Sequence, residues 1–227
     1  MIKFIHEDYE LLLMAEPRLL PSIEQLRLLE IFDRIVQTAW EVDPFIYRKE
    51  PDFFHNGDFG VVFIYRGAEI VGCSIYKRLR PKPLDLIIYR YVTVVHRAHQ
   101  GHGLYQHITE LIYNAEQLHN PLCRLYTAWR TRNPKVWSTL ARQCVTVDPQ
   151  IFSSELNDEL RNLNIWTAST LYPGLELDTT TMLMPNAYSF LKYREKQNYY
   201  DATISAYFND LAPNCALFSL GEVARPL

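Results

Sequence analysis

The sequence predicts an α/β protein in which helices flank a mixed sheet, and three observations carry that prediction. Runs rich in Val, Ile and Tyr alternate with segments whose apolar residues repeat at helical spacing. One long β-rich run, 84–96, leads through a pair of glycines directly into a helical pattern. The chain has 227 residues, of which 48% are hydrophobic and 22% charged. That composition suffices for a sizeable core and excludes disorder as the main state.

The elements of the first 144 residues follow from local patterns. Leu26, Leu29 and Phe32 repeat at helical spacing. Gly67 separates two β-rich runs and predicts a hairpin turn, and Asn133-Pro134 supplies a cap residue followed by proline at the first helical position. We predict a strand at 9–16, a helix at about 22–41, a loop at 42–59, a hairpin of 61–66 and 69–77, a strand at 84–96, a helix from Leu104, a strand at 122–128 and a short helix after Asn133.

The patterns after Val145 are weaker. They predict a helix at 153–166, a strand at 179–184, a tyrosine-rich helical segment within 187–211 and a closing strand at 216–223. The sequence shows no internal repeat and no linker. We therefore predict a single domain over 1–227, with a recognisable core at about 9–144 and an elaborated C-terminal part at about 145–227.

Composition excludes several classes of protein. The formal net charge of −3 argues against a protein that binds nucleic acid through phosphate contacts. Asp85 and Arg90 interrupt the longest apolar run, which falls short of the ~20 residues of a membrane helix. The N-terminus lacks the apolar core of a signal peptide. The four cysteines are widely spaced and form no CxxC pair, so we expect reduced thiols and a cytoplasmic location.

Two glycines mark a candidate phosphate site. The chain has only 8 glycines, about half of the usual ~7% share, yet Gly101 and Gly103 both fall between the longest strand and a good helix. A helix N-terminus behind a tight turn presents free N–H groups and a partial positive charge, which suit phosphate. The segment lacks the GxxxxGK[ST] of a Walker loop, and Gln106 stands where a dinucleotide fingerprint needs its third glycine.

The same segment contains three histidines, His96, His99 and His102. Their spacing crosses a strand end and a turn, and neither cysteine nor a carboxylate cluster stands beside them. We therefore predict no metal site and regard them as solvated turn residues or as contacts to the phosphate ligand.

Residues 92–108, Val-Thr-Val-Val-His-Arg-Ala-His-Gln-Gly-His-Gly-Leu-Tyr-Gln-His-Ile, resemble the acyl-CoA-binding motif of the GNAT superfamily of N-acyltransferases, [Q/R]xxGx[G/A] after a strand. Gln100 and Gly103 match its first and fourth positions, and Tyr105 departs from its sixth. The order of elements from 9 to 144 is also similar to the family's, and Asn133-Pro-Lys-Val136 resembles its Asn-x-x-Ala. The resemblance implies a mixed, mostly antiparallel central sheet with splayed parallel strands.

The resemblance further implies how an acyl-CoA donor is held. The pantetheine arm would bond to the backbone of the motif strand at Thr93–Val95, and the diphosphate would sit on the amides of Gln100–Tyr105. No metal is implied. The residues expected to bind the donor are Thr93, Val94, Val95, Arg97, Gln100, Gly101, His102, Gly103, Leu104, Tyr105 and Asn133.

Catalysis in this family is direct attack of an amine on the thioester, and the backbone of Val95 is the candidate to polarise the thioester carbonyl. Many members use a tyrosine seven residues after the Asn as general acid, but Leu140 stands there. The general acid stays open, with Trp137, Ser138 and Tyr126 as candidates. The general base stays open as well, with Asp85, Tyr89 and Tyr91 on the motif strand as candidates. The acceptor is an unidentified amine.

Two other functions stay open at this point. The missing tyrosine at Leu140 favours a non-catalytic acyl-CoA sensor or interaction module. The enlarged, tyrosine-rich C-terminal third favours a synthase that takes long acyl chains from acyl-CoA or an acyl carrier protein, and the same tyrosines suggest a homodimer surface.

Overall fold

The computed structural model describes residues 1–41, 57–152, 157–188, 192–193, 201–212 and 214–224. These residues form a mixed α/β fold with a mostly antiparallel open sheet and five flanking α-helices. Contacts divide the chain into two compact units. The first unit comprises Met1–Arg78, Arg90–Pro121 and Leu191–Arg194, and the second comprises Leu79–Tyr89, Leu122–Phe190 and Glu195–Leu227. The predicted fold class is confirmed, whereas one domain over 1–227 stays a prediction.

The first unit is built on antiparallel strands in the order β1-β2-β4-β5-β6. Its strands are β1 (Ile2–His6), β2 (Tyr9–Met14), β4 (Phe59–Arg66), β5 (Glu69–Leu79) and the second half of β6 (Asp85–Val95), with β3 (Trp40–Glu41) and β10 (Lys192–Tyr193) as a separate pair. The predicted strand at 9–16, the hairpin around Gly67 and the strand at 84–96 are confirmed. The sequence prediction missed β1 because three of its five residues are exposed, so no apolar face marks it.

Two helices of the first unit pack on this sheet. Helix α1 (Ser22–Ala39) places Phe32 and Val36 in a core with strand residues such as Phe63. Helix α2 (Leu104–His119) begins at the predicted residue. The prediction of a loop at 42–59 falls mostly on 42–56, outside the described residues, and β4 begins at Phe59.

Strand β6 carries the one parallel pairing among the described strands. Residues 85–90 are all buried, as expected for a strand covered on both faces. Its neighbour β7 (Arg124–Thr131) runs parallel to it, with cross-strand partners from Asp85–Arg124 to Tyr89–Ala128. The parallel direction follows from the crossover through α2, since two parallel strands cannot be joined by a tight hairpin.

The second unit is built on strands in the order β6-β7-β11-β8, with β9 paired to β11. Its remaining elements are α3 (Pro134–Ala141), β8 (Cys144–Asp148), α4 (Asp158–Leu171), β9 (Leu183–Met184), α5 (Ala202–Asp210) and β11 (Ala216–Val223). The predictions of α3 and of a strand at 216–223 are confirmed. Strand β11 lies between β7 and β8 and pairs antiparallel with both, which explains its nearly continuous burial.

Several predictions in the C-terminal third need correction. The predicted strand at 179–184 is only two residues long, because Asp178 accepts hydrogen bonds from the N–H groups of Thr180 and Thr181 and bends the chain into a turn. Within the segment 187–211, the helix expected at least from Asp201 is confirmed as Ala202–Asp210 with Asp201 as its N-cap, whereas Tyr188 lies in a turn and donates its N–H to the Asn214 carbonyl (3.0 Å); residues 189–191 and 194–200 lie outside the described residues. The helix predicted at 153–166 runs over Asp158–Leu171, while 153–156 lie outside the described residues.

Candidate functional site

The turn between β6 and α2 has the backbone that its glycines predict. The chain leaves β6 at Val95, forms one turn of 3-10 helix and reaches the N-cap of α2 at Gly103. Gly101 has φ +94° and Gly103 has φ +68°, a region that most other residues adopt only at a cost. A Cβ on Gly101 would meet nothing within 4 Å, so backbone conformation rather than crowding requires glycine in this turn.

The turn presents a row of backbone donors. The N–H groups of Gln106 and His107 donate to the Gly103 carbonyl (2.9 and 3.3 Å). Within the described chain, the N–H groups of residues 101–105 have no such acceptor. Together with the dipole of the 16-residue helix α2, they form an arrangement suited to a phosphate.

Two hydrogen bonds hold the turn against the sheet, one to β6 and one to β5. The side-chain amide of Gln100 donates to the Val95 carbonyl (2.9 Å), and the His96 N–H donates to the Val71 carbonyl on β5 (2.8 Å). The Gln100 side chain therefore helps to fix the turn.

A buried arginine lies beneath the first turn of α2. Arg90 on β6 is only 5% exposed and donates to the hydroxyls of Thr109 (2.8 Å), Ser74 (3.3 Å) and Thr93 (3.1 Å). Its Nε has no acceptor among the described residues. A positive charge thus sits under the donor row without a carboxylate to neutralise it, which strengthens the local attraction for an anion.

The departure of Tyr105 from the family motif has a structural reason. Its ring packs over the Arg90 guanidinium, 5.4 Å from the ring centroid, so the side chain faces inward. Burial raises the pKa of Tyr105, whose hydroxyl therefore stays protonated at neutral pH. Sequence reasoning missed Arg90, although an arginine inside the run Ile-Ile-Tyr-Arg-Tyr-Val was a visible signal.

The β1–β2 turn packs against the glycine turn through histidines. The His6 ring nitrogen Nε2 lies 3.2 Å from the His102 carbonyl, and His102 Nδ1 lies 3.4 Å from a Glu7 carboxylate oxygen. The Tyr9 hydroxyl lies 3.2 Å from His99 Nδ1. Partial burial and the charge of Arg66 lower the pKa of His99, so its ring is neutral at neutral pH.

The remaining side chains of the predicted donor site in the first unit occupy different environments. Arg97 is exposed at the start of the turn. Val94 is buried in the core, whereas Thr93 turns its hydroxyl to Ser74 (2.7 Å). Tyr91 is half-buried, with its ring 6.1 Å from that of Phe59. Within the described ranges, no three His, Cys, Asp or Glu side chains cluster closely enough to hold a metal ion.

Asp85 and Tyr126 lie in the second unit and share one partner. Asp85 is 2% exposed and accepts a hydrogen bond from Arg124 Nε (3.0 Å). The Arg124 guanidinium lies 5.7 Å from the Tyr126 ring centroid. Burial raises the pKa of Tyr126 to about 12, so its hydroxyl is protonated at neutral pH and does not act as a base there.

Asn133 and Leu140 belong to α3. The Asn133 side chain accepts a hydrogen bond from the Lys135 N–H (2.9 Å) and caps the helix. Leu140 is fully buried, and an alkyl side chain cannot donate the proton that the family's tyrosine supplies. Capping accounts for Asn133 in this structure without a ligand.

No family model and no curated protein matches the chain, but solved structures do. The chain is similar to a protein assigned to the GNAT family of acetyltransferases from Desulfovibrio desulfuricans (12% identity, 95% of this chain and 99% of that chain, TM-score 0.46). It is similar to the ribosomal-protein-S5-alanine acetyltransferase from Vibrio fischeri (15% identity, 66% of this chain and 88% of that chain, TM-score 0.44). It is also similar to Arabidopsis thaliana Naa50 in complex with a bisubstrate analogue (10% identity, 93% of this chain and 98% of that chain, TM-score 0.43). At these identities the likeness concerns the arrangement of helices and strands.

Proposed function

We propose that the chain is an acyl-CoA-dependent N-acyltransferase of the GNAT type. The observation that supports this most directly is the turn after β6, where the N–H groups of residues 101–105 face no acceptor in the described chain at the start of α2. The buried charge of Arg90 beneath the same turn favours an anionic ligand.

In this proposal the turn amides bind the diphosphate of the donor, and the backbone of Thr93–Val95 holds the pantetheine arm. Arg97 and His102, which are exposed at the turn, add contacts to phosphate oxygens. The Gln100 side chain keeps the turn in shape through its bond to Val95. Asn133 is a less direct candidate, since its side chain already caps α3.

The proposed reaction is a direct transfer. The amine lone pair attacks the thioester carbonyl carbon, the C–N bond forms, the C–S bond breaks and CoA leaves as a thiolate that takes up a proton. The amine gives up one proton to solvent or to a base. The chain contributes position and a polarised carbonyl, for which the backbone of Val95 is the candidate.

The proton-transfer groups are proposals of lower rank. Tyr126 is protonated at neutral pH, but a pKa of about 12 makes it a weak acid, which lowers its rank as a proton donor. Asp85 is paired with Arg124, which favours a structural role for this carboxylate. Tyr91 carries a half-buried hydroxyl on the motif strand. Substitution of each by Phe or Asn, followed by pH–rate profiles, ranks the three.

One observation favours a second candidate function. Leu140 is fully buried where the family has a proton-donating tyrosine, so a sensor that binds acyl-CoA without turning it over fits the same turn. Thiol release with a panel of amines separates the two, because a sensor binds acetyl-CoA but releases no thiol. A preference for long-chain donors would instead favour the synthase.

The decisive experiment compares two glycines that share a backbone conformation. Gly67 has φ +59° in the β4–β5 hairpin and Gly103 has φ +68° in the candidate site. Gln at either position carries a similar conformational cost, but only Gly103→Gln places a side chain beside the free N–H groups. We expect Gly103→Gln to weaken CoA binding at least about 10-fold in calorimetry, because one or more charge-assisted hydrogen bonds are lost.

The Gly67→Gln variant should bind CoA like the wild type and lose a similar amount of thermal stability. If Gly103→Gln binds CoA with unchanged affinity, or if no CoA ester binds the wild type, the proposal is wrong. We also propose a cytoplasmic location from the four free thiols, and a homodimer that size-exclusion chromatography with light scattering would detect.

A further inference from the structure

Arg130 on β7 differs from other arginines of the second unit. Arg124 pairs with Asp85 (3.0 Å) and Glu159 (3.2 Å), and Arg161 pairs with Asp148 (2.8 Å). The described residues offer Arg130 no carboxylate, although the side chain is half-buried. A partly desolvated cation without a counter-ion is costly unless something else compensates it.

Aromatic rings compensate part of that cost. The Arg130 guanidinium carbon lies 4.1 Å from the ring centroid of Tyr172 and 5.2 Å from that of Tyr188. The Tyr188 hydroxyl donates to the Arg130 carbonyl (2.8 Å) and fixes the backbone of this residue. The Arg130 guanidinium also has a side-chain hydrogen bond with the Tyr188 hydroxyl. Cation–π contacts use the flat face of a guanidinium and leave its five N–H donors in the plane, so donors beyond the one that faces Tyr188 remain for another partner.

The rings themselves are held in place. The hydroxyls of Tyr89 and Tyr172 are hydrogen-bonded to each other. Phe218 on β11 is fully buried and packs against both, with ring centroids 6.1 Å from Tyr89 and 6.3 Å from Tyr172. Arg130 therefore projects from a fixed aromatic cluster, defined by Tyr89, Tyr172, Tyr188 and Phe218, which limits the entropy lost when the guanidinium binds a ligand.

The position in the sheet is also informative. The parallel pairing of β6 and β7 ends at Tyr89 and Ala128, and Arg130 follows two residues later on β7. Arg130 therefore lies beyond the paired segment, near the carboxyl end of β7. Arg132, just after the strand, adds a second positive charge and donates to the Ala212 carbonyl (3.3 Å).

From this placement we propose that Arg130 binds the carboxylate of the acceptor, so that the substrate class is amines that carry a carboxylate, such as free amino acids. This inference rests on the proposed function. The planar fork of arginine matches the two oxygens of a carboxylate, and the aromatic cluster supplies apolar surface for the rest of the acceptor.

The kinetic experiment uses two acceptors that differ in one charge. Acetyl transfer from acetyl-CoA to L-phenylalanine is compared with transfer to L-phenylalaninamide, in the wild type and in Arg130→Met, Arg130→Lys and Lys135→Met. Lys135 is an exposed cation of the second unit and serves as the matched loss of one charge. For the wild type we expect a lower KM for the acid than for the amide.

Arg130→Met should raise the KM for the acid about 10-fold or more and leave that for the amide nearly unchanged, because a charge-assisted hydrogen bond is lost. The KM of Arg130→Lys for the acid should lie between those of the wild type and Arg130→Met. Lys135→Met should have the KM values of the wild type. Equal kinetics for acid and amide in the wild type would overturn the inference. A loss of CoA affinity in Arg130→Met equal to its loss of acceptor affinity would assign Arg130 to the donor instead and also overturn it.

A binding experiment keeps the inference independent of turnover. N-acetylphenylalanine carries the carboxylate but no reactive amine, and its amide is the control. Titration of ¹⁵N-labelled protein should shift the Nε–H resonance that Arg130→Lys removes, with the acid only. If this shift appears while no CoA ester binds, the carboxylate site stands and the proposed transferase does not. If neither the acid nor N-acetylglycine shifts that resonance, the inference is wrong.

Discussion

Arg90 and Arg130 are both arginines for which the described residues provide no carboxylate, yet their surroundings differ. Arg90 is enclosed in the first unit by hydroxyl groups and by the Tyr105 ring, so its charge acts at a distance. Arg130 is half-buried against the rings of Tyr172 and Tyr188, and in our proposal its remaining donors contact a ligand directly. We therefore expect Arg90 to attract an anion through its charge without touching it, whereas we propose that Arg130 touches its ligand.

The role assigned to Arg90 leads to a prediction at this scale. Arg90→Met removes a positive charge beneath the turn, and we expect CoA affinity to fall about 10-fold, as a charge near a partly buried phosphate site is worth on the order of 1 kcal/mol. Calorimetry with CoA and with pantetheine measures the effect. Pantetheine lacks phosphates, so its binding should change little.

Arg90→Lys is the matched control, since it keeps the charge and loses part of the hydrogen bonding to Thr109 and Ser74. It should recover most of the affinity of the wild type. Equal losses of CoA and pantetheine binding in Arg90→Met would show that the variant disturbs packing, and the electrostatic role would then be wrong.

At the scale of elements, helices α2 and α3 are held in place in different ways. Helix α2 is anchored by Glu116, whose carboxylate accepts from Arg78 Nε (2.9 Å) and from the Tyr76 hydroxyl (2.8 Å). This buried anchor holds the helix whose N-terminus forms the candidate phosphate site. Helix α3 instead depends on Asn133, which caps it from within the chain.

The cap of α3 separates two roles of Asn133. Asn133→Ala should lower the free energy of unfolding by about 1 kcal/mol, because the Lys135 N–H loses its acceptor, and Asn133→Asp should recover most of it. Urea unfolding followed by circular dichroism checks both variants. If Asn133 also contacts the donor, Asn133→Asp will bind CoA more weakly despite its restored stability, whereas a cap alone predicts unchanged affinity.

At the scale of the whole molecule, buried tyrosine hydroxyls and a cysteine thiol with raised pKa values make the protein less stable as the pH becomes alkaline. Burial raises the pKa of Tyr126 and of Tyr188 from the ordinary tyrosine value of 10.0 to about 12, and that of the Cys144 thiol from the ordinary cysteine value of 9.0 to about 12. In the unfolded protein these three groups keep their ordinary pKa values, so they lose their protons at a lower pH than in the folded protein. The stabilisation is therefore complete below about pH 9 and is lost as pH rises from there to about 12.

We expect the free energy of unfolding to decrease steadily across that range, with exposure of tyrosine to solvent as the optical signal. Tyr126→Phe should make the decrease shallower and leave stability near pH 7 almost unchanged, because it removes one titrating group and keeps the ring. Guanidinium unfolding at a series of pH values measures this. A pH dependence identical to that of the wild type would contradict burial of Tyr126.

The sequence by itself determined the local elements of this protein. The span of α1, the start of α2, the Gly67 hairpin and the strand at Ala216–Val223 could be predicted, because side-chain periodicity and glycine conformation act over a few neighbouring residues. The glycine turn was found for the same reason. Strand β1 was not predicted, because most of its residues are exposed at the edge of the sheet and no buried apolar face marks it in the sequence.

Tertiary structure alone decided what distant segments do together. It placed β11 between β7 and β8, turned Tyr105 onto Arg90 and surrounded Arg130 with tyrosines from positions 172 and 188. None of these contacts has a local signature, because each joins residues whose separation in the chain exceeds any helical or strand period. The glycine turn was therefore visible in the sequence, whereas the surroundings of Arg130 emerged only when the chain was folded.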